Sequence, residues 1–404
     1  MLTTGVTAIL GFIFWLICSK FFIPEEIGLA TSLISAMSLL SYASLLGFNN
    51  TFIRTLPTSS NRSNVINTGL LLSISAAVIL ASIYVRMLEF IAPKLDLVLD
   101  TSWYEVGFVI MVALATINLL TDSIFIAFRG AKYNLLIDGG IMGIIKLILP
   151  LIFIGFGAYG VFMASGAAAS VAMIASIIFL VLKFDYKPKF SINIQTLRNV
   201  FHYSFINYVA NLFNIIPTLI LPLIILNHLG PANAGYYYLA FTIVSLLYAV
   251  VYSVSSSLFA EGSYGEVALR KLFTRSTIIV TAIIIPAGLI LIEFGPLILK
   301  LFGKSYSDAA SQTITVLALA SPAVAAYTLG NVLLRITHKV YAIIAVNFIY
   351  MFVICGLALL WVNRGLVWIA IAWTLGNIIA AIIAFSSIIY SHYKYIKYTK
   401  NLYA

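Results

Sequence analysis

The chain has 404 residues, of which 62% are hydrophobic and 9% charged, with a net charge of +10 and a mean hydropathy of +1.08. A soluble domain is about 25% charged, so this chain cannot solvate a globule of its size, and long uncharged runs recur throughout it. Composition therefore specifies a polytopic membrane protein and excludes water-soluble classes, nucleic-acid binders included, despite the basic balance.

A membrane-crossing helix needs about 20 mainly apolar residues at ~1.5 Å each. Runs bounded by turn and charge clusters predict twelve such spans. The first six cover residues 3–22, 27–47, 68–87, 106–128, 135–156 and 160–183. The second six cover 203–226, 235–258, 276–292, 309–334, 341–362 and 367–390. Pro217 and Pro222 predict a kink or break in the seventh.

The fold class is therefore all-α, with twelve transmembrane helices in two six-helix bundles. Six is even, so both halves enter the membrane in the same direction and are related by a pseudo-two-fold axis along the membrane normal. The expected division is residues 1–184, a cytoplasmic linker at 185–202, a second bundle at 203–392 and a basic tail at 393–404. A motif supports the duplication. Pro24-Glu25-Glu26-Ile27-Gly28 separates spans one and two, and Pro231-Ala232-Asn233-Ala234-Gly235 separates spans seven and eight. Each is read as a turn in which Pro ends one helix and Gly opens the next.

Charge sets the orientation. With the N-terminus inside, 16 of the 23 basic residues fall on inside loops and the tail, 6 fall outside, and Lys146 is left within a span. This bias predicts both termini in the cytoplasm of a cell-membrane protein, and a basic collar facing anionic headgroups. On that orientation the two Pro-x-x-x-Gly turns lie on the external face, where a structural role in a closed gate is expected of them.

Polar residues within spans mark candidate sites, because lipid disfavours them. Lys146 lies near mid-depth in span five, after Gly139, Gly140 and Gly143 and before Pro150. A central lysine costs about 2.5–3.5 kcal/mol on insertion scales. It fits a cationic anchor for an anionic headgroup, or a structural ion pair. Asp122 lies about 10 Å from the end of span four at helical rise, with Asn118 one turn before it. It fits a carrier of a coupling ion, a partner of Lys146, or an interhelical hydrogen bond. Tyr203, Asn207, Asn211 and Asn214 form one stripe on span seven, offering donors and acceptors for sugar hydroxyls or for neighbouring helices. Arg54, which follows Asn49, Asn50 and Thr51, and Arg335 sit at cytoplasmic span ends. There they serve a vestibule or simply obey the positive-inside rule.

Cys18 and Cys355 have no paired spacing, and the four histidines are scattered, so neither a metal nor a cofactor is expected. No nucleophile-base pair, HExxH or Walker-type motif is found, so a non-enzyme is expected.

Several stretches resemble bacterial and archaeal polysaccharide-export flippases of the multidrug/oligosaccharidyl-lipid/polysaccharide exporter superfamily. They are Gly11-Phe12-Ile13-Phe14-Trp15, Phe22-x-Pro24-Glu25-Glu26-x-Gly28-Leu29-Ala30, Leu45-Leu46-Gly47-Phe48-Asn49 with Ile53-Arg54, Thr121-Asp122-Ser123-x-Phe125-Ile126-Ala127 and Leu301-Phe302-Gly303-Lys304-Ser305-Tyr306. The resemblance implies two six-helix bundles in an inverted V. It also implies a cationic central cavity, and movement of polyprenyl-diphosphate-linked sugars to the outer leaflet, coupled in several members to H⁺ or Na⁺. Lys146, Arg54, Asn118, Asn207, Asn211, Asn214 and Arg335 suit substrate contact in such a cavity, and Asp122 suits ion coupling. Family members usually carry a cytoplasmic segment before span one, and often two helices after span twelve.

The expected partners are a lipid-linked oligosaccharide, membrane lipids and a coupling ion, with the protein acting as a monomer. Two rivals stand beside the flippase. One is a cation-coupled drug exporter of the same superfamily, which would use buried acids, of which Asp122 is the one expected in a span. The other is a membrane-embedded polymerase or lipid-sugar transferase, which would need a larger outward loop than residues 86–105. A major-facilitator transporter shares the span count but lacks its usual charged loop at 49–67.

Overall fold

The apolar runs fold as helices wherever they were expected. The computed structural model describes the backbone of residues 2–264 and 268–402, with side chains described except at 1–4, 194–203, 263–267 and 391–404. The side chains of Tyr203, Arg198, Lys394, Lys397 and Lys400 thus lie outside the described residues, as does that of the basic tail. Every regular element among the described residues is helical. Among the described residues ten helices are long and apolar enough to cross a membrane, or eleven if a bent pair counts as one span, and Gly5–Phe21 is a shorter apolar helix.

The first half contains α1 (Leu2–Phe21), α2 (Pro24–Ser44), α3 (Phe48–Thr55), α4 (Arg62–Arg86) and α5 (Ser102–Ala127). A π-helical stretch (Leu135–Met142) then runs into α6 (Gly143–Ile152), and α7 (Gly157–Phe184) follows. The second half contains α8 (Ile194–Leu229), α9 (Pro231–Tyr264), α10 (Leu269–Phe302), α11 (Lys304–Leu319), α12 (Ser321–Ile336), α13 (Val340–Trp361) and α14 (Leu366–Leu402). Residues 1–239 with 300–309 form one compact unit, and residues 240–299 with 310–404 a second.

Three local expectations are corrected. The seventh span is one continuous helix through both prolines, so the expected break is absent. The tenth, expected to be a single helix, is α11 and α12, bent by 42° between them. Pro322 is the cause, since it has no N–H for the Ala318 carbonyl. The Ser321 hydroxyl donates to that carbonyl instead, at 2.7 Å, so the bend leaves no orphan acceptor. In the repeated motif, proline opens the following helix rather than closing the preceding one. The first helical position needs no N–H, so proline is well placed there. The Ile23 N–H donates to the Glu26 carboxylate at 3.1 Å, completing the start of α2.

The two copies of the motif pack on each other, within the first unit. A Cβ on Gly28 would overlap the Pro231 carbonyl oxygen, and one on Gly235 would stand 2.6 Å from the Pro24 carbonyl oxygen. The starts of α2 and α9 therefore cross backbone to backbone, each using its own glycine against the other's proline. Around this crossing, Asn227 donates to the Ile91 carbonyl at 2.7 Å and Lys94 to the Leu226 carbonyl at 3.0 Å. Lys94 thereby places a cation on the C-terminal turn of α8, where the helix dipole favours it.

Candidate functional site

Two of the expected polar positions, Asp122 and Asn118, are resolved by the hairpin between α5 and the π-helical stretch. Gly130 sits in the turn, and antiparallel neighbours meet at equal distances from it. Asp122 and Asp138 are each eight residues from Gly130, and their carboxyl groups lie within hydrogen-bonding reach of each other. Asn118, one turn back on α5, donates its amide to Asp138 Oδ1 at 3.4 Å. Asn134 donates to the Asp122 carbonyl at 3.2 Å. Asp138 and Asn118 are buried, at 9% and 7% exposure. Two carboxyl groups at this range can share a proton. The buried Asn118 Oδ1 and Asn134 Oδ1 have no hydrogen-bond partner, which leaves two further acceptors at the cluster.

The backbone around Asp138 is not α-helical. Gly143 N–H reaches back five residues to the Asp138 carbonyl, the bond of a π-helix. Gly139 and Gly143 face Val6 and Leu10 of α1, so their missing side chains let α1 close on this stretch. Asp138 was not recognised from sequence. Its signal was present, because the residue mirrors Asp122 about Gly130 in a predicted hairpin.

Lys146 lies elsewhere on the same span, eight residues and thus about 12 Å beyond Asp138 at helical rise. The ion pair with Asp122, one of the alternatives read for that residue, is not formed. The Lys146 ammonium instead sits 4.6 Å from the centroid of the buried Phe14 ring, beside Cys18 of α1. Among the described residues no carboxylate accepts from it. A desolvated cation–π contact is worth about 2 kcal/mol, less than the ~2.5–3.5 kcal/mol for a lysine at a span centre. The ring thus offsets part of the cost and leaves the cation able to bind an anion.

The remaining expected residues are not gathered with these. On α8, Tyr208 donates to the Ala43 carbonyl at 2.5 Å and Thr51 to Ser204 at 3.0 Å, so these positions seat the helix against α2 and α3. Asn207, Asn211 and Asn214 are half-buried, and each is already engaged in an interaction. Arg54 is exposed at the last turn of α3 and is also engaged.

Arg335 belongs to a network inside the second unit. Its Nε donates to Asn331 Oδ1 at 3.4 Å, and Asn331 Nδ2 donates to Asn347 Oδ1 at 2.5 Å. The Tyr327 hydroxyl donates to the same Asn347 oxygen at 2.8 Å, and its ring stacks on Tyr350 at 4.4 Å. Asn347 is fully buried, so this network ties α12 to α13.

Comparison with known proteins bears on the fold and the family. Residues 17–311 match the family model described as polysaccharide biosynthesis protein. No curated protein matches by sequence. Among solved structures, the inward-facing conformation of a multidrug resistance MATE family transporter of the MOP superfamily is similar, with a TM-score of 0.73 and 15% identity. The match covers 94% of this chain and 93% of that one. The lipid II flippase MurJ in an inward closed conformation has a TM-score of 0.74 at 15% identity, over 96% of this chain and 86% of the other. A MOP superfamily transporter from Pyrococcus furiosus, whose description reports a binding pocket of reversed polarity, has a TM-score of 0.68 at 16% identity. Here 95% of this chain and 92% of the other are covered. The chain therefore has the all-helical membrane fold of MOP superfamily transporters.

Proposed function

This chain belongs to the polysaccharide biosynthesis protein family, and from that premise we propose that it is a flippase. It carries a polyprenyl-diphosphate-linked oligosaccharide from the cytoplasmic to the outer leaflet by alternating access. The observation that carries this reading is Lys146, a mid-span cation with an aromatic neighbour and no carboxylate partner among the described residues. An anionic diphosphate is the ligand such a group lacks. Residues 1–184 and 203–392 would be the two moving bundles, with both termini cytoplasmic. Asn207, Asn211 and Asn214 would meet sugar hydroxyls, and Arg54 and Arg335 would hold the cytoplasmic vestibule. Asn118 would reach substrate only through the acid pair.

The Asp122–Asp138 pair supplies the coupling site, exchanging a proton or Na⁺ with each cycle. The same pair favours a second reading, a cation-coupled multidrug exporter. Two buried carboxyl groups stand where one was expected, which restores the acidic character that such an exporter needs.

The test is complementation of a deletion strain that accumulates lipid-linked glycan on its inner leaflet. Wild type and Lys146→Arg are expected to clear the accumulation, and Lys146→Ala to leave it. Full clearance by Lys146→Ala removes the residue from the mechanism. Drug resistance conferred on an efflux-deficient host, without effect on the glycan, selects the exporter.

A further inference from the structure

A second basic site lies away from the spans, at the end of the first unit that charge bias assigns to the cytoplasm. The chain leaves α7 through Asp185, at φ +53°, and runs back extended over the start of α4. It is clamped there. Lys187 N–H donates to Ser63 Oγ at 3.1 Å, and Asn67 Nδ2 donates to the Lys187 carbonyl at 3.1 Å. The Tyr186 hydroxyl donates to Asn67 Oδ1 at 2.6 Å, and Asn193 N–H donates to Thr68 Oγ1 at 3.0 Å.

The clamp forms one side of an open cleft of about 740 Å³. Arg62, Lys187 and Lys189 line it from two segments more than 120 residues apart, with Asp185 the one acid in the lining. Arg62 rests its guanidinium 5.4 Å from the Phe128 ring centroid. Among the described residues, none of the three cations has a side-chain hydrogen bond or ion pair. The hydroxyls of Ser59, Ser60 and Ser63 line the same wall. Burial pushes the Tyr186 phenol up to about 12, so it stays a neutral donor and adds no negative charge.

An ordinary basic collar spreads its charges into water. Here a folded clamp converges three unpaired cations and several hydroxyls on one concave wall. That arrangement matches a phosphate group, which offers several acceptor oxygens and at least one negative charge. The surroundings identify its source. Next to the lining residues in the chain, Phe190 on the connection is 96% exposed and Leu182, in the last turn of α7, 70%. Apolar groups interleaved with lysines suit the boundary between headgroups and acyl chains.

We propose that this cleft binds the phosphate headgroup of an anionic phospholipid of the adjoining leaflet. The lipid anchors the linker at the membrane surface, whichever substrate the spans move.

The test is hydrogen exchange on the purified full chain in nanodiscs of phosphatidylcholine, with and without phosphatidylglycerol, and in a third arm with inorganic phosphate. Phosphatidylglycerol is expected to slow exchange in residues 59–67 and 185–193. The concentration for half-protection should rise about a hundredfold in Arg62→Gln/Lys187→Gln/Lys189→Gln, at roughly fivefold per charge. The charge-conserving Arg62→Lys/Lys187→Arg/Lys189→Arg keeps the clamp and should retain most of the protection, which separates lost binding from lost folding. Arg270→Gln/Lys271→Gln removes charge from the same collar outside this cleft and should leave the protection intact. Equal protection of wild type and the triple Gln variant overturns the site. Protection by inorganic phosphate without any by phosphatidylglycerol overturns the lipid assignment.

Discussion

Replacing Gly235 by alanine perturbs the crossing of α2 and α9 at a single atom. The added Cβ would lie 2.6 Å from the Pro24 carbonyl oxygen and 3.1 Å from the Gly28 nitrogen. Ordinary contact begins near 3.4 Å, so the helices must separate by about 0.8 Å, or the backbone must distort. Neither neighbour is a side-chain end that can rotate away. Overpacking of this kind costs about 1–3 kcal/mol, which is roughly a 5- to 150-fold bias against the crossed conformation. Gly28→Ala should be more severe, because its Cβ overlaps the Pro231 carbonyl outright.

The assay is labelling of a cysteine at Ala232, in the first turn of α9, by a membrane-impermeant maleimide on whole cells. If the crossing is the closed side of an alternating-access cycle, Gly235→Ala should speed labelling at least about fivefold. Gly356→Ala is the control, since a Cβ at Gly356 meets nothing within 4 Å. Unchanged labelling and unchanged thermal stability in Gly235→Ala, relative to that control, would refute the reasoning.

Three further predictions follow from the buried polar groups. Lys146→Met should abolish complementation while holding or raising the melting temperature, because it removes a costly cation and keeps the stem; a large loss of stability would assign the lysine a structural role. Asp122→Asn/Asp138→Asn keeps hydrogen-bonding capacity but not a titratable pair, and should remove the dependence of transport on an ion gradient in proteoliposomes; retained dependence would place coupling elsewhere. Asn347→Leu removes the acceptor shared by Asn331 and Tyr327 and should destabilise the second unit by about 2–4 kcal/mol in thermal unfolding; a loss below ~1 kcal/mol would mean that the network contributes little.

Much of this was legible in the sequence because membrane constraints are simple. Span length and the scarcity of charge are read directly from composition, and the all-helical fold follows from them. The Pro-x-x-x-Gly repeat was visible as punctuation, but its partner was not. Only the packed structure shows Gly28 against Pro231 and Gly235 against Pro24. Asp138 was missed because it lies near a predicted span start, where an acid looks interfacial, and because the π-helical stretch around it leaves no mark in hydropathy. The bend at Ala320 was hidden by a continuous apolar run, although Pro322 was in view. The Lys146–Asp122 pair failed because the hairpin turn at Gly130 sets the facing positions, and those bring Asp138 to Asp122.

The central claim, movement of a lipid-linked glycan, is tested most directly in proteoliposomes carrying a defined polyprenyl-diphosphate oligosaccharide in the inner leaflet. Periodate oxidation from outside reports the sugar that has crossed. Wild type should expose the glycan at a rate that rises with an imposed ion gradient, and Lys146→Ala should stay near the protein-free rate. Exposure no faster than in protein-free liposomes, with a cationic drug carried by the same preparation, would contradict the flippase reading.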